Sequence, residues 1–399
     1  MSEKSQYQVS SYRWIILVLF MLVGMTTQIL WITFAPITTE SSAIFTAGDT
    51  DLILILSLVF MIAYLPVNFP ASWCIDKFGL KWGTGVGVII TGVFGFLRIF
   101  SVDYTWLLIF QIGCAVGQPF ILNSFTKLSA NWFPEEEQAL ATGLGTMSLF
   151  VGLIIAMFLT PILYLSSTIP LQGINIVLIV YGIIALVTMI LYLVFVKDKP
   201  ESPPSPLASE EKTLMVQGMK DLFKNRDFII LFVAFLIGLG AFNAISAEID
   251  LIFGIYRPMD VYSALTSGIM GGLMILGGIF GSVVLSALSD KYKNRKIFLI
   301  LSLGVATALT PFIAYLPYLV PLYIICFVFG FFLMAALPIG LTYATEKTQP
   351  VPEGTSNGLL MLIGQIGGII LILTFSMVFI AILFGIGFIL ALFITEVQK

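Results

Sequence analysis

The sequence predicts an all-α membrane protein with twelve transmembrane helices in two six-helix halves. Of its 399 residues, 59% are hydrophobic and only 10% are charged, whereas a soluble domain carries about 25% charged residues. Such a chain lacks the polar side chains needed to cover a surface in water. Its apolar residues are also grouped into segments of the length, about 20 residues, that crosses the hydrocarbon core as a helix.

Eleven apolar segments follow one another along the chain, six before a long polar break and five after it. They begin near Trp14, Asp51, Gly83, Thr105, Gln138 and Leu171, and then near Asp227, Tyr262, Ile297, Tyr318 and Thr355. The uncharged run in the last segment, residues 357–395, has about 39 residues and is too long for one span. It therefore predicts two helices joined by a tight turn near Ser376 to Phe379, which makes twelve.

The polar break divides the chain into an N-terminal half, residues 1–196, a linker, 197–226, and a C-terminal half, 227–399. The first part of the linker is rich in Pro and Ser, a composition typical of a disordered segment. Its second part carries apolar residues at helical spacing and predicts an amphipathic helix on the membrane surface. These residues are Leu214, Met215, Met219, Leu222 and Phe223.

Basic residues are concentrated in alternate loops. Seventeen of the 19 Lys and Arg residues fall on one side of the predicted topology, and only Arg98 and Arg257 fall on the other. Because cytoplasmic loops carry the excess of Lys and Arg, we expect a multi-pass protein of the cell membrane with both termini and the linker in the cytoplasm. Arg98, at the outer end of the third span, is expected to extend toward the interface. No small-residue cleavage site follows the first segment, which is therefore expected to remain as a helix.

The composition argues against an enzyme. The chain has no histidine, and no GxxxxGK[ST] phosphate-binding loop is present. Its three cysteines lack the CxxC spacing of zinc sites, so neither a metal nor a cofactor is expected. The net charge of −3 offers no basic patch for nucleic acid. A membrane enzyme would need clustered His/Asp or Ser/His groups, which the sequence does not contain.

The two halves repeat one another in their loops. The loop of residues 76–81 after the second span is similar in sequence to residues 290–296 after the eighth. Residues 133–137 are similar in the same way to residues 351–354. Two six-helix halves related by parallel repeats resemble the major facilitator superfamily of secondary transporters. The superfamily's signature, an acid-basic-x-Gly-x-basic loop, is matched by Asp76, Lys77, Gly79 and Lys81 and, without the glycine, by Asp290, Lys291 and Arg295.

Two interpretations of these loop charges are open. Lysines beside a cytoplasmic helix end can simply set the topology. In the superfamily that the chain resembles, the same residues also form a latch between the halves in the outward-open state. The repetition of the loop and its glycine favour the latch.

Depth in the predicted spans singles out four residues as candidate cargo contacts, one each on the first, fourth, seventh and eleventh span. They are Trp31, Gln118, Asn243 and Gln365. Residues 30–37, 63–80, 118–122, 131–133, 240–244 and 337–340 resemble the branch related to the feline leukaemia virus subgroup C receptor. That resemblance implies a cargo pocket with tryptophan, glutamine, an aromatic residue and glutamine at these four positions. Asn243 departs from it, because the choline-carrying members have tyrosine there.

Each of these residues also has a structural interpretation, since polar side chains inside spans usually hold helices together. The same choice applies to Glu248 and Asp250 at the outer end of the seventh span. They are either ordinary charges at the membrane rim or a pair that attracts a cation or couples transport to protons.

The predicted function is a monomeric secondary transporter that moves a small organic solute by alternating access in the lipid bilayer. The resemblance implies a cationic or zwitterionic solute, similar to choline or another amine, or a vitamin-like one. One alternative is an exporter of amphipathic drug-like or haem-like compounds. An alternative of a different class is a membrane receptor or channel without a carrier cycle.

Overall fold

The structure is a computed structural model that describes residues 10–200, 222–256, 263–351, 353–374 and 376–396. Every regular element among these residues is helical, as the sequence predicts. Most of the predicted amphipathic linker helix lies outside the described residues. The chain forms two compact units. Unit 1 comprises Met1–Phe34 and Glu40–Lys212, and unit 2 comprises Ala35–Thr39 and Thr213–Lys399.

The helices of the described residues are numbered in chain order. Up to the linker they are α1 (Tyr12–Ile32), α2 (Thr38–Phe45), α3 (Thr50–Leu97), α4 (Tyr104–Leu122), α5 (Phe125–Trp132), α6 (Glu135–Leu165) and α7 (Pro170–Phe195). After it they are α8 (Arg226–Ala247), α9 (Ile249–Tyr256), α10 (Ala264–Tyr292), α11 (Arg295–Tyr315), α12 (Leu319–Lys347), α13 (Glu353–Leu373) and α14 (Met377–Leu392). Two short 3-10 helices cover Ala35–Ile37 and Arg98–Phe100.

Ten helical stretches of the described residues are long and apolar enough to cross a membrane, and α14 is a shorter apolar helix. Their starts fall within a few residues of predicted ones, whereas the predicted start near Gly83 lies inside α3 and begins no separate helix. Capping side chains mark some of the starts. Asp103, Asn294 and Ser376 each accept a hydrogen bond from a backbone N–H in the first turn of the helix that follows. Ser376 places the start of the last helix at the beginning of the predicted turn.

The 48-residue helix α3 contains a break at Gly79, where φ is 81°. This left-handed conformation strongly favours glycine. The Asp198 carboxylate lies against the break and accepts a hydrogen bond from the Lys81 backbone N–H at 3.0 Å. A Cβ atom at residue 79 would overlap that carboxylate. The glycine of the signature loop is thus required locally by both its backbone angle and its neighbour.

We expect Gly79→Ala to lower the stability of the protein. The substitution adds left-handed strain of about 1 kcal/mol and displaces the Asp198 carboxylate from the Lys81 N–H. Thermal unfolding of the purified protein measures the effect. Gly143→Ala is the control, because a Cβ atom at that helical position meets nothing within 4 Å. An equal melting temperature for the two variants would contradict the requirement for glycine at residue 79.

In unit 2, glycines bring two pairs of helices into backbone contact. On α10, Cβ atoms at Gly277 and Gly281 would overlap carbonyl oxygens of α12, and one at Gly330 would overlap a carbonyl of α10. On α8, a Cβ atom at Gly240 would lie 2.6 Å from the carbonyl carbon of Gly367 on α13. Small residues that permit close approach are the usual basis of helix packing in membranes.

Helix α1 ends where a proline removes its next hydrogen bond. Pro36 has no N–H to donate to the carbonyl of Ile32, the last residue of α1. The chain then forms the 3-10 turn Ala35–Ile37 and enters α2. The turn belongs to the five-residue segment Ala35–Thr39, which groups with unit 2 although both of its flanks belong to unit 1.

Candidate substrate site

Trp31 lies in the last turn of α1 and is 7% exposed. Its indole N–H donates to the Ser57 carbonyl of α3 at 3.1 Å, and the Ser57 hydroxyl donates to the Trp31 carbonyl at 3.5 Å. The polar edge of the indole is therefore used to join α1 to α3. What remains for a ligand is the face of the ring, the part of tryptophan that attracts cations.

Helix α4 carries two glutamines seven residues apart, Gln111 and Gln118. Seven residues are almost two helical turns, so both side chains leave the same face of α4, about 10 Å apart along its axis. Gln111 donates from its amide nitrogen to the carbonyls of Leu30 and Leu56, both at 3.0 Å. The Gln118 side chain is buried, but its amide group forms no hydrogen bond with any described residue.

In unit 2, Asn243 lies on α8 and Gln365 on α13, the two helices that meet at Gly240 and Gly367. Asn243 is 4% exposed, and its amide nitrogen has no hydrogen-bond partner among the described residues. The Gln365 side chain is half-buried, and its amide group likewise forms no hydrogen bond with the described residues. An unpaired buried amide costs about 1–3 kcal/mol, which a ligand with a complementary group would recover.

Two kinds of amide occur inside the spans, and Gln28 of α1, which the sequence did not single out, is also buried without a side-chain hydrogen bond to the described residues. Gln111 and Asn123 hold helices together, Asn123 by donating to Asn68 Oδ1 at 2.7 Å and to the Ser72 hydroxyl at 3.0 Å. Gln118, Asn243 and Gln365 form no such bonds in the described part of the chain. Within the described residues, the three amides singled out in the sequence thus form none of the side-chain hydrogen bonds that would join helices, and their role as cargo contacts stays a prediction.

Glu248 and Asp250 are both fully buried, with 0% exposure, so they are not solvated charges at a rim. Asp250 Oδ2 accepts from the backbone N–H and the hydroxyl of Thr39, each at 2.8 Å. Its Oδ1 accepts from the Ser267 hydroxyl at 3.1 Å. Asp250 thereby attaches the segment Ala35–Thr39 to α9 and α10 within unit 2.

The signature loops form ion pairs inside their own units. In unit 1, the Asp76 carboxylate accepts from the Lys127 ammonium at 3.1 Å. In unit 2, Arg295 binds both Asp290 and Glu346, the latter at 3.1 Å. Lys77 lies over the Trp73 ring at 4.6 Å, and Lys291 lies over Tyr292 at 5.9 Å. A role for these residues as a latch remains a prediction.

Arg98 corrects an expectation. It does not extend to the interface but is 1% exposed inside unit 1. Its Nη1 lies 3.4 Å from the Leu30 carbonyl, which also accepts from Gln111, and its guanidinium carbon lies 5.3 Å from the centre of the Phe34 ring. The sequence alone does not distinguish an arginine near a span end that extends to the interface from one that points into the protein. Only the packing of α1, α3 and α4 reveals its position.

Comparison with known proteins identifies the chain. The Major Facilitator Superfamily model matches residues 16–372. Solute carrier family 49 member A3 of Xenopus tropicalis is 32% identical over 94% of this chain and 79% of that protein. The choline/ethanolamine transporter FLVCR1 of Felis catus is 27% identical over 92% of this chain and 68% of that protein.

Two solved structures share the fold at low sequence identity. A bacterial homologue of the human lysosomal transporter Spinster has a TM-score of 0.74 at 17% identity, over 92% of this chain and 82% of that one. A D-xylose-proton symporter has a TM-score of 0.73 at 14% identity, over 98% of both chains. These relatives and neighbours are transporters and not enzymes. The chain belongs to the Major Facilitator Superfamily, in the branch that includes the feline leukaemia virus subgroup C receptor-related transporters.

Proposed function

We propose that this protein is a secondary transporter of a small organic solute that bears an ammonium group, and that it works by alternating access. The observation that carries the proposal is that the side chains of three intramembrane amides, Gln118, Asn243 and Gln365, form no hydrogen bond with the described residues, while Trp31 is buried beside α3. Relatives named as choline/ethanolamine transporters support an amine as the cargo.

Each of the four residues has a role that follows from its chemistry. The face of Trp31 attracts the ammonium group. Asn243 donates its unpaired N–H to an oxygen of the solute, a group that both choline and ethanolamine carry as a hydroxyl. Gln118 and Gln365 supply further donors and acceptors. Because Asn243 replaces an aromatic residue, fewer ring faces surround the cation, and recognition depends more on hydrogen bonds than on an aromatic cage.

The architecture proposed for this cycle has twelve spanning helices in two six-helix halves, with both termini in the cytoplasm. The break of α3 at Gly79 divides one long helical stretch into two spans, and the short α14 supplies the last. We place the loops around Asp76 and Asp290 at the cytoplasmic side, where they form the latch. At the opposite side, the buried Glu248 and Asp250 are the groups available for cation attraction or proton coupling.

The two glutamines of α4 provide a matched test. Gln118→Ala is expected to weaken choline or ethanolamine binding about 10-fold or more, since a hydrogen bond to a charged ligand contributes about 1.5–3 kcal/mol. The melting temperature without ligand should change little. Gln111→Ala is expected to do the opposite, because it removes two helix-joining bonds. Thermal-shift titration of both purified variants measures the two effects.

The outcome of this titration also tests the cargo class. If neither amine shifts the melting temperature of the wild-type protein at any concentration, the ammonium proposal is wrong. If the amines bind but Gln118→Ala binds them as tightly as the wild type, the assignment of this glutamine is wrong while the cargo class stands.

A further inference from the structure

Arg98 is a buried cation whose hydrogen-bonding capacity is mostly unused. Its Nη1 makes one long hydrogen bond, to the Leu30 carbonyl. Its Nε and Nη2 have no partner among the described residues, and none of their carboxylates forms an ion pair with it. The Oε1 atom of Gln111, whose amide nitrogen shares the Leu30 carbonyl, is also buried and has no hydrogen-bond partner in the part of the chain that the structure describes.

The two other arginines whose contacts the structure describes show what this edge of a guanidinium binds. Arg13 directs Nε and Nη2 at the two oxygens of Glu137, at 3.0 and 3.3 Å. Arg295 directs the same two nitrogens at the two oxygens of Glu346, at 3.5 and 3.1 Å. Arg98 presents the same pair of donors to no acceptor among the described residues, although it is the most buried of the three.

A buried guanidinium stays charged, and it is rarely left unpaired because its desolvation costs several kcal/mol. Of the titratable groups that the structure describes, Cys114 and Tyr181 are close enough to interact with it electrostatically. A thiol and a phenol are ordinarily neutral at pH 7, so neither balances the charge. A small anion held by Nε and Nη2 would balance it and would fill the geometry that Arg13 and Arg295 already use.

The position of Arg98 connects this charge to the proposed cargo. Its Nη1 binds the carbonyl of Leu30, the residue that directly precedes Trp31. An ammonium group on the face of Trp31 would therefore be repelled by an uncompensated Arg98. An anion at Arg98 would remove that repulsion.

We propose that Arg98 is an anion-binding residue. It holds a small monoanion on its Nε and Nη2 atoms while the ammonium group of the solute lies on the ring face of Trp31. The monoanion is either the carboxylate of a zwitterionic solute or a free inorganic or carboxylate ion bound beside a cationic one. The inference rests on the proposed function and adds a second charge to the ligand. The transported species is thereby a neutral pair or a zwitterion.

The test is a set of thermal-shift titrations on the purified full chain, starting in sodium lactobionate, an anion too bulky for a packed site. Choline is titrated with and without sodium chloride or sodium acetate, and glycine betaine is titrated alone. A free-ion site predicts that chloride or acetate raises choline affinity several-fold. A zwitterion site predicts that betaine binds several-fold more tightly than choline. Either gain should disappear in Arg98→Gln and persist in Arg13→Gln.

Two results would overturn the inference: no dependence on free anion or betaine in the wild-type protein, or the same dependence in Arg98→Gln. The wild-type titrations stand alone if Arg98→Gln does not fold, and Arg98→Lys then provides the comparison. Lysine keeps the charge but lacks the two-pronged edge, so a carboxylate should lose affinity in this variant. An anion effect on thermal stability without any amine binding would reject the proposed cargo and leave the anion site intact.

Discussion

Replacing Trp31 with leucine is expected to abolish saturable uptake of the amine cargo. The substitution removes the ring face proposed to hold the ammonium group. A desolvated cation–π contact contributes about 2 kcal/mol or more, equivalent to a loss of affinity of about 30-fold. Leucine also removes the indole N–H that donates to the Ser57 carbonyl. Uptake of labelled choline into proteoliposomes, together with binding to the purified protein, measures the loss.

Trp31→Phe separates the ring face from the indole N–H. Phenylalanine keeps an aromatic face but cannot donate to Ser57, so it should retain most of the cargo affinity that leucine loses. Trp106, which is 48% exposed, supplies the control, and Trp106→Leu should leave uptake unchanged. Equal losses in Trp31→Phe and Trp31→Leu would show that the hydrogen bond to α3, and not cargo binding, is the function of this residue.

Gly281→Val is expected to prevent unit 2 from folding in most molecules. A Cβ atom at this position would overlap the Phe331 carbonyl oxygen of α12, and a backbone atom cannot rotate away as a side chain can. The two helices would have to move apart along their whole contact, where Gly277 and Gly330 also allow the backbones to approach closely. Van der Waals packing is a principal source of helix association in lipid, so we expect a loss of several kcal/mol, a large part of typical stability.

Size-exclusion chromatography and thermal unfolding measure this effect. We expect most of Gly281→Val to elute as aggregate and the remainder to melt on the order of 10 °C lower. Gly238→Val is the matched control, because a Cβ atom at Gly238 on α8 meets nothing within 4 Å. If both valine variants unfold at the same temperature, the close approach of α10 and α12 is not a determinant of stability.

The all-helical fold and most of the helix starts were predictable because both depend on local physics. Hydrophobic length predicts a span, and a capping side chain marks its first turn, as Asp103 and Asn294 do. The glycine at residue 79 was predictable in the same way from its place in a loop signature. Its partner Asp198 was not, since 117 residues separate the carboxylate from the Lys81 N–H that it binds.

The site residues were predictable only in part. Gln118 was singled out and Gln111 was not, although both are glutamines on one face of one helix. Their difference lies in whether carbonyls of other helices come within reach, which depends on packing across the unit. Arg98 shows the same limit more strongly. Whether its charge meets water or protein depends on how α1 and α4 close over it.

The placement of Ala35–Thr39 has a consequence for dissecting the molecule into fragments. A polypeptide of residues 213–399 would carry all of unit 2 except these five residues. Its Asp250 would then retain the Ser267 hydroxyl but lose both donors of Thr39. We therefore expect such a polypeptide to be less stable by itself than within the whole chain, and an N-terminal fragment that extends through Thr39 to restore this contact.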